Sequence, residues 1–283
     1  MAQFTNQAFL SYNDIVTPSN VAVGELLEVL SATKTAVSST YQERDSVTYI
    51  VSILNSGNTA YNALSISDNL GSYSFNSQTL TPLSYVDGSL LYYINGVLQP
   101  TPTVTTEAPL VVSGISVPAN GNAIIVYEAQ ITAFAPLSEG STITNIVTVS
   151  GNNIVPFDAE ETITVSNDAV MSITKSISPI PVSENSLVNY TFVIQNTGNA
   201  PLVATDNAII SDVFDPILSN ISVTFNGALW QEGVNYTYNE TTGEFTTIAG
   251  QVLVDAATFE QNPQTGAWTA TPGVATLIVT GTI

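Results

Sequence analysis

Two lysines stand at one position of an internal repeat, and each is associated with a carboxylate and a carboxamide: Lys34 with Asp68 and Asn145, Lys175 with Asp212 and Asn6. In a low-dielectric core a lysine loses its proton more easily, and the neutral amine is a nucleophile. Beside an Asn carboxamide it can attack the amide carbon while a neighbouring carboxyl group carries protons; ammonia leaves and an isopeptide bond remains. The plain alternative is two exposed strand residues loosely paired with acids, worth well under about 1 kcal/mol each. Economy speaks for the chemistry, because Lys and Arg number only 3 in the whole chain (Lys34, Arg44, Lys175) and both lysines fall on the same repeat position. Glu128 is an alternative acid, but its counterpart is Thr280, so the repeat prefers Asp68 and Asp212.

Little else in the sequence can do chemistry. Cys and His both number 0, which removes thiolate sites, disulfides, a cysteine nucleophile and the commonest general base and metal ligand. No enzyme, cofactor or metal site is expected; a carboxylate-only mechanism such as glycoside hydrolysis would need two facing acids that no spacing singles out. Asp206, Asn207, Asp212 and Asp215 lack the tight alternation of an oxygen-rich calcium loop. Trp230, Trp268 and the 12 Tyr suit core or cross-strand packing better than a ligand platform. The Asn-x-Thr triplets at Asn189, Asn235 and Asn239 are expected by chance in so Asn- and Thr-rich a chain.

The formal charge is −20, from 23 acids against 3 bases. Nucleic acid and anionic membranes demand clustered Lys and Arg, so neither is an expected partner. The charge keeps a β-rich surface soluble. No stretch approaches a membrane span, and the first residues, Met1 to Asn6, lack the basic and apolar regions of a signal peptide.

The elements that must position these residues are strands. A length of 283 residues with 44% hydrophobic and 9% charged residues, rich in Thr, Val, Ser, Ile and Asn, predicts an all-β chain of two sandwich domains. Val47-Thr-Tyr49-Ile-Val-Ser-Ile-Leu-Asn55-Ser-Gly57-Asn58 recurs as Val188-Asn-Tyr190-Thr-Phe-Val-Ile-Gln-Asn196-Thr-Gly198-Asn199, displaced by 141 (188 − 47), and the same displacement carries Lys34 onto Lys175. Ser67-Asp68 corresponds to Ser211-Asp212, and the turn Asn95-Gly96 to Asn226-Gly227, with Asn-Gly suited to a type I′ hairpin. These residues resemble a surface-repeat family of Gram-positive cell-envelope proteins, the domain of unknown function number eleven. The resemblance implies immunoglobulin-like sandwiches on an exported scaffold, and assigns no activity. The order of a first-strand Lys, an intervening acid and a last-strand Asn also resembles pilin and adhesin sandwiches that carry isopeptide bonds.

The two copies end differently. Copy one continues through Thr144–Val155 and Glu161–Val165, whereas copy two stops at Ile283 after its equivalent of Ile124–Ile131. The missing strands match the N-terminus: Thr5, Asn6, Ser11, Asn13, Ile15 and Val16 repeat Thr144, Asn145, Ser150, Asn152, Ile154 and Val155, displaced by 139 (144 − 5), with Val21–Leu26 in the place of the second terminal strand. The expected organisation is a donor segment (1–27), a complete sandwich (28–166) and an incomplete acceptor sandwich (167–283), the last completed by a neighbouring subunit. Donor residues are Phe4, Asn6, Ala8, Leu10, Ile15 and Val16; alternation puts Phe4, Asn6, Ala8 and Leu10 on the inward face. The expected function is a structural subunit of an extracellular filament whose partner is itself, head to tail, with Lys34–Asn145 bonds inside subunits and Lys175–Asn6 bonds between them. The alternative is a monomeric cell-surface adhesin or carbohydrate-binding module.

Overall fold

The computed structural model describes residues 2–26, 29–151 and 154–283. The chain opens on a two-stranded ribbon of β1 (Ala2–Asn6), β2 (Phe9–Tyr12), β3 (Ile15–Pro18) and β4 (Ala22–Leu26), in which β1 pairs with β4 and β2 with β3. Asn13 and Asp14 make its turn, with φ of 44° and 63°, the left-handed pair that a type I′ turn requires. Ile15 and Val16, expected on the donor strand itself, therefore lie past the turn on the returning strand. Among the described residues no other strand pairs with the ribbon, and its apolar side chains stand in solvent, Leu10 at 65% exposure.

The first sandwich comprises β5 (Leu30–Ala36), β6 (Thr40–Tyr41), β7 (Ser46–Asn55), β8 (Tyr61–Asp68), β9 (Tyr73–Phe75), β10 (Gln78–Leu80), β11 (Leu83–Tyr85), β12 (Leu91–Ile94), β13 (Val97–Gln99), β14 (Thr103–Glu107), β15 (Leu110–Val117), β16 (Gly121–Ile131), β17 (Thr142–Ser150) and β18 (Phe157–Val165). One sheet runs β13-β12-β16-β7-β5, the other β14-β15-β8-β17-β18-β6. With β14 and β15 extending one edge, this is the immunoglobulin order D-E-B-A facing C-F-G. Alternation builds the core: along β7, Val47, Tyr49, Val51, Ile53 and Asn55 turn inward, and along β17, Ile143, Asn145, Val147 and Val149. The inward Asn55 is structural. Its amide donates to the carbonyls of Thr59 and Pro118 and its oxygen accepts from Gly57 N, so it fastens the turn after β7.

The second sandwich comprises β19 (Met171–Ser178), β20 (Leu187–Asn196), β21 (Ser211–Val213), β22 (Ser219–Phe225), β23 (Ala228–Trp230), β24 (Tyr236–Tyr238), β25 (Glu244–Thr247), β26 (Thr258–Gln261), β27 (Trp268–Thr271) and β28 (Gly273–Thr282). Its first sheet, β19-β20-β28-β22-β23, repeats A-B-E-D and the following hairpin strand. β20 buries the same alternate positions as β7, and Asn196 repeats the fastening of Asn55, donating to Ala200 and Asp255 carbonyls and accepting from Gly198 N. The facing sheet has three strands only, β21-β25-β24, the counterparts of β8, β15 and β14. Among the described residues nothing stands where β17 and β18 stand in the first sandwich. The β26–β27 hairpin has no counterpart in the first copy and packs Phe259 and Trp268 against the first core.

Candidate functional site

The three residues singled out around Lys34 meet in the first core. Lys34 points inward from β5, Asp68 ends β8, and Asn145 lies on β17, two residues from Val147, the register partner of Asp68. All three are buried, Lys34 at 3% exposure. Lys34 Nζ lies 2.5 Å from Asp68 Oδ2 and 4.9 Å from the centre of the Tyr49 ring. Asp68 Oδ1 accepts from the backbone N–H of Leu70 at 2.9 Å. Burial pulls the Lys34 pKa down from 10.5 to about 8, against the opposing pull of Asp68 and of Glu161, so the amine is poised to lose its proton. Glu128, the alternative acid, is exposed on β16 and makes no ion pair with Lys34.

A fourth group completes the cluster. The hydroxyl of Tyr127, buried on β16, donates to Asp68 Oδ2 at 2.6 Å and accepts from Asn145 Nδ2 at 3.2 Å. Its ring stacks on Tyr49 with centroids 5.6 Å apart. Burial, and next the Asp68 charge, push this phenol's pKa well up, so it stays protonated. Asn145 Oδ1 and the Tyr49 hydroxyl are buried without a hydrogen-bond partner. The carboxamide is thus held by its nitrogen, with its carbonyl facing no donor. Repeat reasoning passed over Tyr127 because its counterpart is Val279: Tyr127 pairs with Tyr49 on β7, and Val279 with Tyr190 on β20. The available signal was that pairing, which needs the sheet.

The second site is assembled in part. Lys175 forms an ion pair with Asp212 and lies 4.6 Å from the Tyr190 ring centre and 5.3 Å from that of Phe214. Its side chain is 39% exposed. The inward positions of β5 and β19 explain why. Leu30, Ala32, Lys34 and Ala36 correspond to Met171, Ile173, Lys175 and Ile177; the first set lies under β18, whereas Met171 and Ile173 are open to solvent, Ile173 at 53%. Asn6 is exposed on β1, which pairs only with β4, and no hydrogen bond or ion pair joins it to Lys175 or Asp212 among the described residues.

The ribbon repeats the pairing of the strands that the second sandwich lacks. Asn145 faces Glu161 across β17 and β18, and Asn6 faces Ala22 across β1 and β4, each member displaced by 139 (145 − 6, 161 − 22). Ile143 opposite Ile163 likewise becomes Phe4 opposite Gly24. The Phe4 ring lies over Gly24, where a Cβ would fall 2.4 Å from the ring tip, so a side chain there would push the exposed ring aside. Beyond Asn6 the two differ: Phe9 faces Pro18, one residue off the pairing of Thr148 with Asp158.

The other residues considered are structural. Asp206 accepts from the Val203 backbone N–H at the start of a short 3₁₀ turn (Ala204–Asp206), apart from Asp212 on β21. Trp230 stacks on Phe225, 4.7 Å between centroids.

No family model matches the chain, and no curated protein matches it, so the resemblance to the surface-repeat family rests on the quoted residues alone. Similar solved structures include the pilus backbone RrgB of Streptococcus pneumoniae (13% identity, TM-score 0.35, covering 86% of this chain and 55% of that one). Others are BcpA, the major pilin subunit of Bacillus cereus (11%, 0.36, 96% and 73%), and ACE19, the collagen-binding subdomain of the Enterococcus faecalis surface protein ACE (13%, 0.31, 51% and 100%). The chain spans about half the length of the RrgB chain that it matches. Likenesses at these scores carry no weight for function; the all-β fold stands on the strands themselves.

Proposed function

We propose that this chain is a structural subunit of an extracellular filament, in which the β1–β4 ribbon of one subunit completes the second sandwich of the next, with isopeptide bonds at Lys34 and, across the junction, at Lys175. One observation carries the reading: among the described residues the unpaired edge of β21 lies beside a part-exposed Lys175, and the same chain carries an unpaired ribbon whose β1–β4 half has the pairing register of β17 and β18. An open strand edge with apolar side chains beside it invites strand addition. In sequence β4 ends at Leu26 and β5 begins at Leu30, so reaching its own second sandwich would require the ribbon to pass the whole first sandwich, which favours a neighbour's. Such a contact joins unlike surfaces, so its repetition builds an open filament.

Carrying the β8–β17 register across gives the junction. Ala8 faces Asp212, Phe9 faces Ser211, Leu10 faces Ile210 and Ser11 faces Ile209, as Val147, Thr148, Val149 and Ser150 face Asp68, Ser67, Ile66 and Ser65. Asn6 then takes, beside Asp212 and Lys175, the strand position that Asn145 takes in the cluster of Lys34 and Asp68. In both sites, with the second covered by the docked ribbon, attack of the amine on the carboxamide carbon would exchange an ion pair and a carboxamide for a secondary amide, a neutral carboxylic acid and ammonia. That removes charge from the core, where it is expensive.

Deleting residues 2–20 tests the reading. The truncated chain keeps β17 and β18, so its first sandwich folds, and negative-stain images should show discrete particles where the full chain forms threads. Threads from the truncated chain would overturn the donor ribbon. Discrete particles from the full chain would favour a monomeric adhesin or carbohydrate-binding module.

A further inference from the structure

We propose that Tyr127 is the catalytic acid of the Lys34 site, passing a proton from Asp68 to the departing nitrogen of Asn145, and that Val279 in its place makes the junction at Lys175 the slower of the two bonds to close. This rests on the isopeptide reading above and adds a role to a residue that the repeat does not share. The phenol bridges the two atoms between which a proton must travel, 2.6 Å from Asp68 Oδ2 and 3.2 Å from Asn145 Nδ2. Asp68 does not hydrogen-bond Asn145 directly, so the hydroxyl is the relay that the geometry supplies.

The protons balance. Lys34 enters as ammonium and Asp68 as carboxylate, and one proton passes from Nζ to Oδ2. The amine attacks Cγ of Asn145, forming the C–N bond. Asp68 returns its proton through the hydroxyl, which gives its own hydrogen to Nδ2 and takes the one from Oδ2. The Cγ–Nδ2 bond breaks and ammonia leaves; the new amide nitrogen sheds its extra proton to Asp68. Tyr127 ends unchanged and Asp68 ends neutral. Without the hydroxyl the amide nitrogen would depart as an anion, and positioned proton transfer of this kind is worth roughly a hundredfold or more in rate.

The second site exchanges two side chains. Phe214 stands where Leu70 stands, and Val279 where Tyr127 stands, so ring bulk is kept while the hydroxyl is lost. Glu161, opposite Asn145, is replaced on the ribbon by Ala22. Subunits would therefore close their internal bond early and their junction bond late, leaving time for filaments to form before they lock.

Cell-free synthesis of the full chain, sampled by intact mass, tests this. The wild-type chain should lose about 17 Da, the mass of ammonia, as it folds. Tyr127→Phe keeps the stacked ring and should form the bond roughly a hundredfold more slowly. Bond formation at the wild-type rate in Tyr127→Phe would overturn the proposal. A wild-type chain that folds and keeps its unmodified mass would instead overturn the isopeptide reading, and the role of Tyr127 with it. The reciprocal pair Val279→Tyr with Phe214→Leu stands independently of how Tyr127→Phe folds. It should bring on detergent-resistant multimers roughly a hundredfold sooner than in wild-type filaments, and an unchanged rate would sink the assignment.

Discussion

A lysine buried beside an aspartate is retained at a cost, because both charges surrender water and their attraction repays it only when the remaining polar atoms are satisfied. At Lys34 they are satisfied in part: the Asp68 oxygens have three donors between them, while Asn145 Oδ1 has none. Asp68 from β8, Glu161 from β18 and the Tyr49 ring from β7 act on the amine directly, while Tyr127 from β16 and Asn145 from β17 join the cluster through Asp68, and both phenols are held protonated by burial. The reactive form, neutral amine with neutral Asp68, contains as many protons as the ion pair. The rate of bond formation should therefore be level below about pH 8 and fall above it, as the shared proton is lost with the Lys34 pKa pulled down to about 8. A mechanism needing only the free amine would instead climb up to that pH, and the mass time course measured at several pH values separates the two. Lys34, Asp68 and Asn145 were legible in the sequence because both copies repeat their types at matching places. Tyr127 was not, since what distinguishes the two sites is what repetition conceals.

At the scale of elements, alternation was the readable quantity. Along β17 the side chains of Ile143, Asn145, Val147 and Val149 turn inward, and displacement by 139 puts Phe4, Asn6, Ala8 and Leu10 on the face that would enter a neighbour. Pairing partners were less legible: the ribbon breaks at Gln7 and Ala8, where Ser19 Oγ accepts from Ala8 N and the Gln7 side chain donates to the Ser19 carbonyl. That local bonding holds β2 and β3 one residue off the β17–β18 register, so the proposed docking would require the outer half of the ribbon to slip. Leu10→Asp would bury an unpaired carboxylate against Ile210 and should weaken each junction by several kcal/mol, seen as a raised critical concentration for threads. Ser11→Asp, on the opposite face, should leave it nearly unchanged. The reverse ranking would mean that the ribbon enters by its other face.

For the whole molecule, the geometry of the proposed filament would depend on how one sandwich is fixed to the other, and here the repeat offered no guide because β26 and β27 belong to the second copy alone. The hairpin crosses to the first sandwich: Trp268 N donates to the Ala133 carbonyl at 2.7 Å, Asn76 Nδ2 to the Pro263 carbonyl at 2.8 Å, and Phe259 and Trp268 pack on the first core. Gly266, at φ of 75°, lies against Leu80 and Phe75, where a Cβ would fall 2.3 Å from Leu80. These contacts tie residues far apart in sequence, so no local pattern announces them. Each sandwich has its own core, however, and the clasp is a brace between them rather than a part of either fold. Trp268→Ala removes the largest side chain of the brace and leaves the β17–β18 pair, the ribbon and the β21 edge untouched. Filaments of this variant should still assemble, but with a shorter persistence length and a less regular repeat in electron micrographs, while the free chain shows a larger radius of gyration by small-angle scattering. Threads as straight as those of the wild type, from a chain of unchanged dimensions, would show that the linker at residues 166–170 holds the two sandwiches without the clasp.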